Sequence, residues 1–442
     1  MKRRGFIKKA AAATAGAFAA PYILPSGRLF AATGAQLAEH VVMVMFAGGV
    51  RQQESVEQTY LDQSQGIPIQ GNIMSNMLDG AAPTQKIVYG TDGNLTGDTP
   101  IPQILGSTLQ QQGTLFREVR SSHAGHYGGM NALLQGNTLY SQGLRQKPLN
   151  PTIFEYTRRH LGTPASKVWF VGNGIGNSTP LMNYSQHPSY GAEYGANFLA
   201  PNITFGSQGV EHLSNAKIYH PEEELDPIYQ MKYFLDNNFE NVGGTIESIY
   251  NTEEEKQNIK LFMRDMYNRG GNIAKPPVSD NGDLNTVGYA VEVMKWFKPT
   301  LTVVNLGAVD ACHSDYTSYL KALHRADHAV GHIWNQINQI PEMANNTVMM
   351  VTPECGRNLN PNPIKDENDW LAFDHSDANT QRVFTQMVGP NVPSNLVRGG
   401  IGNRIGETAD NCPTIAEILG FKDDVMSSGL ISSTAQSLFD RI

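Results

Sequence analysis

The chain is short of cysteine and of charge, with no surplus of positive charge, and each shortage removes a class of protein. Three cysteines in 442 residues cannot build a disulfide scaffold, since at most one internal bridge forms and one thiol is left over. Lys plus Arg total 33 against 41 for Asp plus Glu, a formal net charge of −8. No basic excess exists to neutralise phosphates, which argues against a general nucleic-acid binder. Charged residues are 17%, below the roughly 25% of average usage. Beyond the N-terminal leader no apolar run reaches the roughly 18 residues a bilayer requires, so the mature chain is expected to carry no transmembrane segment. Internal repeats and low-complexity tracts are also missing.

What remains is the composition of a folded protein. Apolar residues make up 40% and aromatics 9%, too much for a disordered chain. The length allows one large α/β domain or two to three ordinary ones. The N-terminus, Met1-Lys2-Arg3-Arg4-Gly5-Phe6-Ile7-Lys8-Lys9, leads into an Ala-rich apolar run from Ala10 to Ala20. A basic segment, a short apolar stretch and small residues near Ala31-Ala32 have the pattern of a signal peptide. The Arg3-Arg4 pair resembles the twin-arginine type. Residues 1–34 are therefore read as an export leader, and residues 35–442 as the folded part, periplasmic or extracellular.

Three apolar runs predict buried parallel strands: Val41–Phe46, Leu301–Leu306 and Thr347–Thr352. Lys167–Val171 and Arg382–Val388 are weaker candidates. Each of the first three ends in a polar, Gly- or Pro-bearing loop, and ligand sites in open α/β sheets lie at such strand ends. Between the last two, Tyr316, Tyr319, Leu320, Leu323, Val330, Ile333 and Ile337 recur at helical spacing, which makes a βαβ unit. His324, His328 and His332 fall on the opposite face, read as solvated. Further helices are expected at 221–239, 245–269 and Thr414–Leu419. The polar stretch 145–300 reads as an insertion, with a linker around Lys275–Asp283. The Gly172-x-Gly174-x-Gly176 run lacks dinucleotide-binding spacing.

Four segments could carry chemistry. Asp310-Ala311-Cys312-His313 follows the second strand, and a carboxylate with an imidazole suits zinc or a similar ion. Asp374-His375 could complete that site through His375. Ser121-Ser122-His123-Ala124-Gly125-His126 precedes a helix, where a Ser122 nucleophile would meet backbone N–H groups and His126 could serve as base, acid or ligand. Glu354-Cys355-Gly356-Arg357 follows the third strand; Glu354 could ligate a metal and Arg357 could grip an anionic oxygen. Each segment taken alone also fits an ordinary loop.

In chain order these segments resemble the alkaline phosphatase superfamily, and within it a twin-arginine-exported, sulfatase-like branch. The resemblance rests on Gly48-Gly49 after the first strand, Asp310-x-x-His313 before a helix carrying Asp327, Glu354-x-Gly356-Arg357, Asp374-His375, and Pro413–Gly420. Ser122-His123-Ala124-Gly125-His126 is similar to the nucleophile segment of the cofactor-independent mutases. The resemblance implies a mostly parallel central sheet with helices on both faces and a mid-chain insertion. It implies a metal-dependent hydrolase of phosphate or sulfate esters, acting on a small-molecule or glycan ester. Catalysis would use Ser122, His126 and Arg357, and a divalent metal (zinc, manganese or calcium) would sit on Asp310, His313, His375 and Glu354. The superfamily uses two metals, one held in part by an early Asp and an Asp-His pair. Here Gly48-Gly49-Val50-Arg51 has no Asp and Glu354-Cys355 replaces the pair, which implies one ion or none. If both loops share the strand ends, Cys312 and Cys355 become neighbours, able to form a disulfide or to offer Cys355 as a ligand. The alternative is a catalytically degenerate protein that presents Trp169, Tyr184, Tyr190 and Tyr194 to a glycan or protein partner.

Overall fold

The computed structural model describes residues 34–59, 70–83, 101–138, 147–172, 182–206, 249–278 and 282–442. The leader up to residue 33, the helix expected at 221–239, and Gly174 and Gly176 lie outside the described residues. Eight strands form one sheet: β1 (His40–Phe46), β2 (Thr114–Arg120), β3 (Val168–Gly172), β4 (Asn197–Leu199), β5 (Leu301–Leu306), β6 (Thr347–Pro353), β7 (Arg382–Val388) and β8 (Leu396–Arg398). Their order is β4-β3-β5-β1-β6-β7-β2-β8. Strand β1 is central, parallel to β5 on one side and to β6 on the other. Only β7 runs against its neighbours, antiparallel to both β6 and β2.

The apolar runs are continuous because both faces of the sheet are covered. Along β1, Val42, Val44 and Phe46 enter one core while Val41, Met43 and Met45 enter the other. The longer helices divide accordingly. On the face of β1 that carries Val42, Val44 and Phe46 lie α3 (Glu253–Arg269), α4 (Gly282–Phe297) and α5 (Tyr316–Ile337). The second face carries α1 (His126–Gln135), α2 (Ile153–Leu161) and α6 (Asn411–Ile418). This is the α/β architecture expected, with helices on both faces. Among the described residues no helix is long and apolar enough to cross a membrane.

Three expectations need correction. The 145–300 stretch supplies α2, β3, β4, α3 and α4, so much of it builds the central sheet and its cover; the candidate strand Lys167–Val171 within it is β3, next to the sheet's centre. The helix expected from 245 starts at Glu253, where Thr252 and Glu255 form a capping box. Finally, the histidine face of α5 is not solvated. His324 and His328 are buried, covered by chain near Ile73 and near Ile101: His324 Nδ1 meets Ile73 O at 2.7 Å and its Nε2 accepts from Ile101 N at 3.0 Å. His328 Nδ1 meets Pro102 O and His332 Nε2 meets Ala274 O. Helix α5 packs on two sides, which its own periodicity does not reveal.

A fourth correction concerns the expected aromatic surface, of which only Tyr194 is not buried. Trp169, Tyr184 and Tyr190 are buried, and Trp169 packs with Phe262 and Phe297 in the core. Cys312, Cys355 and Cys412 are buried free thiols.

A candidate metal centre at the strand ends

The loops after β1, β5 and β6 meet at the carboxyl end of the sheet, and glycine lets them meet closely. A Cβ on Gly48 (φ +141°) would lie 2.4 Å from Asp310 N, and one on Gly49 (φ +74°) would lie 2.9 Å from Arg357 Nε. Only glycine fits such conformations next to another backbone. From the other side α1 presses against the loop after β6: a Cβ on Gly129 would sit 2.3 Å from Glu354 O. Ser121 adds a tie, its hydroxyl 2.8 Å from the same carbonyl. His126 is the first residue of α1, with Gly125 as N-cap. The helix therefore presents His126 at its N-terminus, and Ser122 lies half-buried in the preceding loop.

His126 and His313 point their Nε2 atoms at each other, 3.5 Å apart. Asp310 Oδ1 completes a triangle, 3.1 Å from His126 Nε2 and 3.3 Å from His313 Nε2. His375 stands over both rings, its centroid 4.4 Å from that of His126 and 4.8 Å from that of His313. One nitrogen from each of the three histidines lies within 4.8 Å of the others. For a tetrahedral ion with bonds near 2.0–2.1 Å, neighbouring donors are separated by about 3.3 Å. The triangle has that size, and a three-imidazole, one-carboxylate set is zinc-like chemistry. The residues present fit a divalent cation.

The reverse sides of two rings are also held. Glu354 is completely buried; its Oε1 accepts from His126 Nδ1 at 2.7 Å and from Gly48 N at 2.6 Å. Asp374 Oδ1 accepts from His313 Nδ1 at 2.8 Å, and its Oδ2 accepts from Asn362 Nδ2. Cys355 Sγ lies 3.6 Å from His126 Nδ1.

Charges at the centre are strongly coupled. Burial lowers the His126 imidazolium, but hydrogen bonds to Asp310, Cys355 and Glu354 outweigh it and push its pKa up to about 12. Burial raises the Asp310 carboxyl, yet His126, His313 and Arg357 bring it well below the usual carboxylate range. His375 goes the opposite way. Burial first, then the positive charges of His126, Arg357 and His313, hold it down to about 4.

All of Asp310, His313, His375, Glu354, His126 and Arg357 converge here. Glu354 faces His126 Nδ1, on the side of that ring away from the Nε2 triangle. Arg357 is completely buried, with Nη2 on Asp310 Oδ1 at 2.7 Å and on Gly48 O, and Nη1 on Phe373 O. Its guanidinium holds Asp310 and Gly48 and does not open to solvent. Asp374 had no assigned role in the sequence; its place beside His375 was the available signal, since ligating histidines are commonly held by a carboxylate.

No protein-family model matches the chain, and no curated protein matches it. Its likeness to solved structures is one of fold. A protein in the alkaline phosphatase superfamily from Vibrio parahaemolyticus is similar over 95% of this chain and 74% of its own, at 11% identity and a TM-score of 0.39. The alkaline phosphatase of the Antarctic bacterium TAB5 is similar over 87% of this chain and 99% of its own, at 9% identity and 0.40. The lipoteichoic acid synthase LtaP from Listeria monocytogenes is similar over 94% and 77%, at 10% identity and 0.36.

Proposed function

We propose that this chain is an exported, divergent member of the alkaline phosphatase superfamily, a metal-dependent hydrolase of phosphate or sulfate esters with a single cation. The observation that carries the reading is the triangle of His126 Nε2, His313 Nε2 and Asp310 Oδ1 with the His375 ring over it. These four residues would hold the ion, which when bound would polarise an ester oxygen and neutralise charge developing on it.

The chain's own groups supply the rest. Arg357 fixes Asp310 and is a permanent positive charge beside it, which supports a site working with one ion. The first turn of α1, entered through Gly125, directs backbone N–H groups toward incoming negative charge. Ser122, three residues before that N-cap, is the nucleophile in this reading. Arg3-Arg4 and the apolar run after them support twin-arginine export, so the substrate is a small-molecule or glycan ester outside the cytoplasm.

The test starts with mature protein purified without chelator. Elemental mass spectrometry is expected to find about one equivalent of zinc, manganese or calcium, lost in His313→Ala. Chromogenic phosphate and sulfate esters are expected to be turned over by the wild type and not by Ser122→Ala or His313→Ala. No bound metal together with no turnover would overturn the reading, and two equivalents would overturn the single site.

A further inference from the structure

The geometry points to Glu354 and Asp374 as positioning residues: each grips the Nδ1 of one site histidine and turns that ring's Nε2 toward Asp310, without touching the cation. This rests on the metal-centre reading above. An imidazole has two nitrogens, and a hydrogen bond from Nδ1–H fixes both the tautomer and the plane of the ring. The arrangement occurs twice, on chain segments that share no local sequence. Glu354, from the end of β6, holds His126 at 2.7 Å; Asp374, from the loop before β7, holds His313 at 2.8 Å. Both rings then direct Nε2 to one carboxylate oxygen, at 3.1 and 3.3 Å.

Each carboxylate is itself held. Glu354 Oε1 takes a second hydrogen bond from Gly48 N, which ties His126 to the end of β1. Asn362 Nδ2 bridges Asp374 Oδ2 and the carbonyl of His313, at 3.2 and 3.0 Å. The same amide therefore fixes the backbone of the ligand and the carboxylate that orients its ring. Two other groups compete for these roles. Glu354 Oε2 is buried with no hydrogen-bond partner and would serve as a ligand if the carboxylate turned. Cys355 Sγ, 3.6 Å from His126 Nδ1, would be a ligand if that nitrogen faced the ion.

The experiment compares zinc-loaded wild type, Glu354→Gln and Asp374→Asn. Zinc affinity is read by chelator competition and the ligand shell by X-ray absorption. Each variant is expected to bind zinc about 10–100-fold more weakly, with three imidazoles and no sulfur around the metal throughout. Asp374→Glu should recover part of the loss, as a carboxylate that only orients would allow. Asp374 is half exposed, with 47% of its side chain open, so its variants test the idea even if Glu354→Gln fails to fold. Unchanged affinity in Asp374→Asn, loss of an oxygen ligand in Glu354→Gln, or sulfur bound in the wild type would each overturn the assignment. Wild type that binds no zinc would bring down the metal centre itself, and this assignment with it.

Discussion

Arg357 shows how a residue's neighbours decide its role. Read from its motif, the guanidinium could grip a substrate oxygen. In the fold it is completely buried, and its one charged hydrogen-bond partner is Asp310. Burial disfavours the guanidinium, while Cys312, Cys355 and Asp310 raise its pKa. Neutralising the partner leaves a buried cation held only by the carbonyls of Gly48 and Phe373. Asp310→Asn is therefore expected to destabilise the metal-free protein by about 2–3 kcal/mol. That is less than the 3–5 kcal/mol of a fully buried pair, because a third of the Asp310 side chain meets water. Urea denaturation with chelator present measures it. A loss below about 0.5 kcal/mol would mean that the two carbonyls satisfy the guanidinium alone. Sequence adjacency placed Arg357 near the site correctly and could not say which way it faced.

At the scale of elements, α5 was legible on one side only. Its apolar stripe from Tyr316 to Ile337 follows a period of 3.6 and lies in the core as expected. The histidines on the other face are covered by a segment from far away in sequence, and no local pattern reports such a cover. Burial disfavours the His324 imidazolium and holds its pKa down to about 4, although the Ile73 carbonyl pulls upward. An unfolded chain takes up that proton near 6.5. Stability present above pH 6.5 is therefore lost as the pH falls toward 4. Asp327, one turn along, works in the opposite sense. Burial raises it to about 7, so its contribution is present below its unfolded value and lost as the pH rises through 7. Substitution separates the two. Between pH 7 and 4.5 the wild type is expected to lose roughly 2–3 kcal/mol more than His324→Gln, by chemical denaturation at each pH. Parallel losses would show that His324 does not drive the acid response.

For the whole molecule, the sheet's centre was legible, β3 and β7 beside it more weakly, and the outer strands β4, β2 and β8 were not. Strands β1, β5 and β6 are buried on both faces and read as unbroken apolar runs, so the strands and the loops at their ends could be found. Strand β2 reads TLFREVR, because its buried Glu118 pairs with Arg382 on β7, and an ion pair formed across 264 residues leaves no apolar signature. The topology has a thermodynamic consequence for the centre. Its donors come from the start of α1, the loop after β5 and the loop before β7, so no short fragment of the unfolded chain can assemble them. A cation bound by them stabilises only the folded molecule, by about 2.7 kcal/mol at a free concentration of 100 times Kd. For a chain of this size that corresponds to a rise of about 3–5 °C in thermal midpoint. Zinc added to chelator-treated wild type should produce that rise, and fresh chelator should reverse it. His375→Ala keeps the other three donors but loses the ring standing over them, so its rise should shrink to 1 °C or so at the same free zinc. An equal rise in both proteins would place the stabilising zinc elsewhere on the molecule.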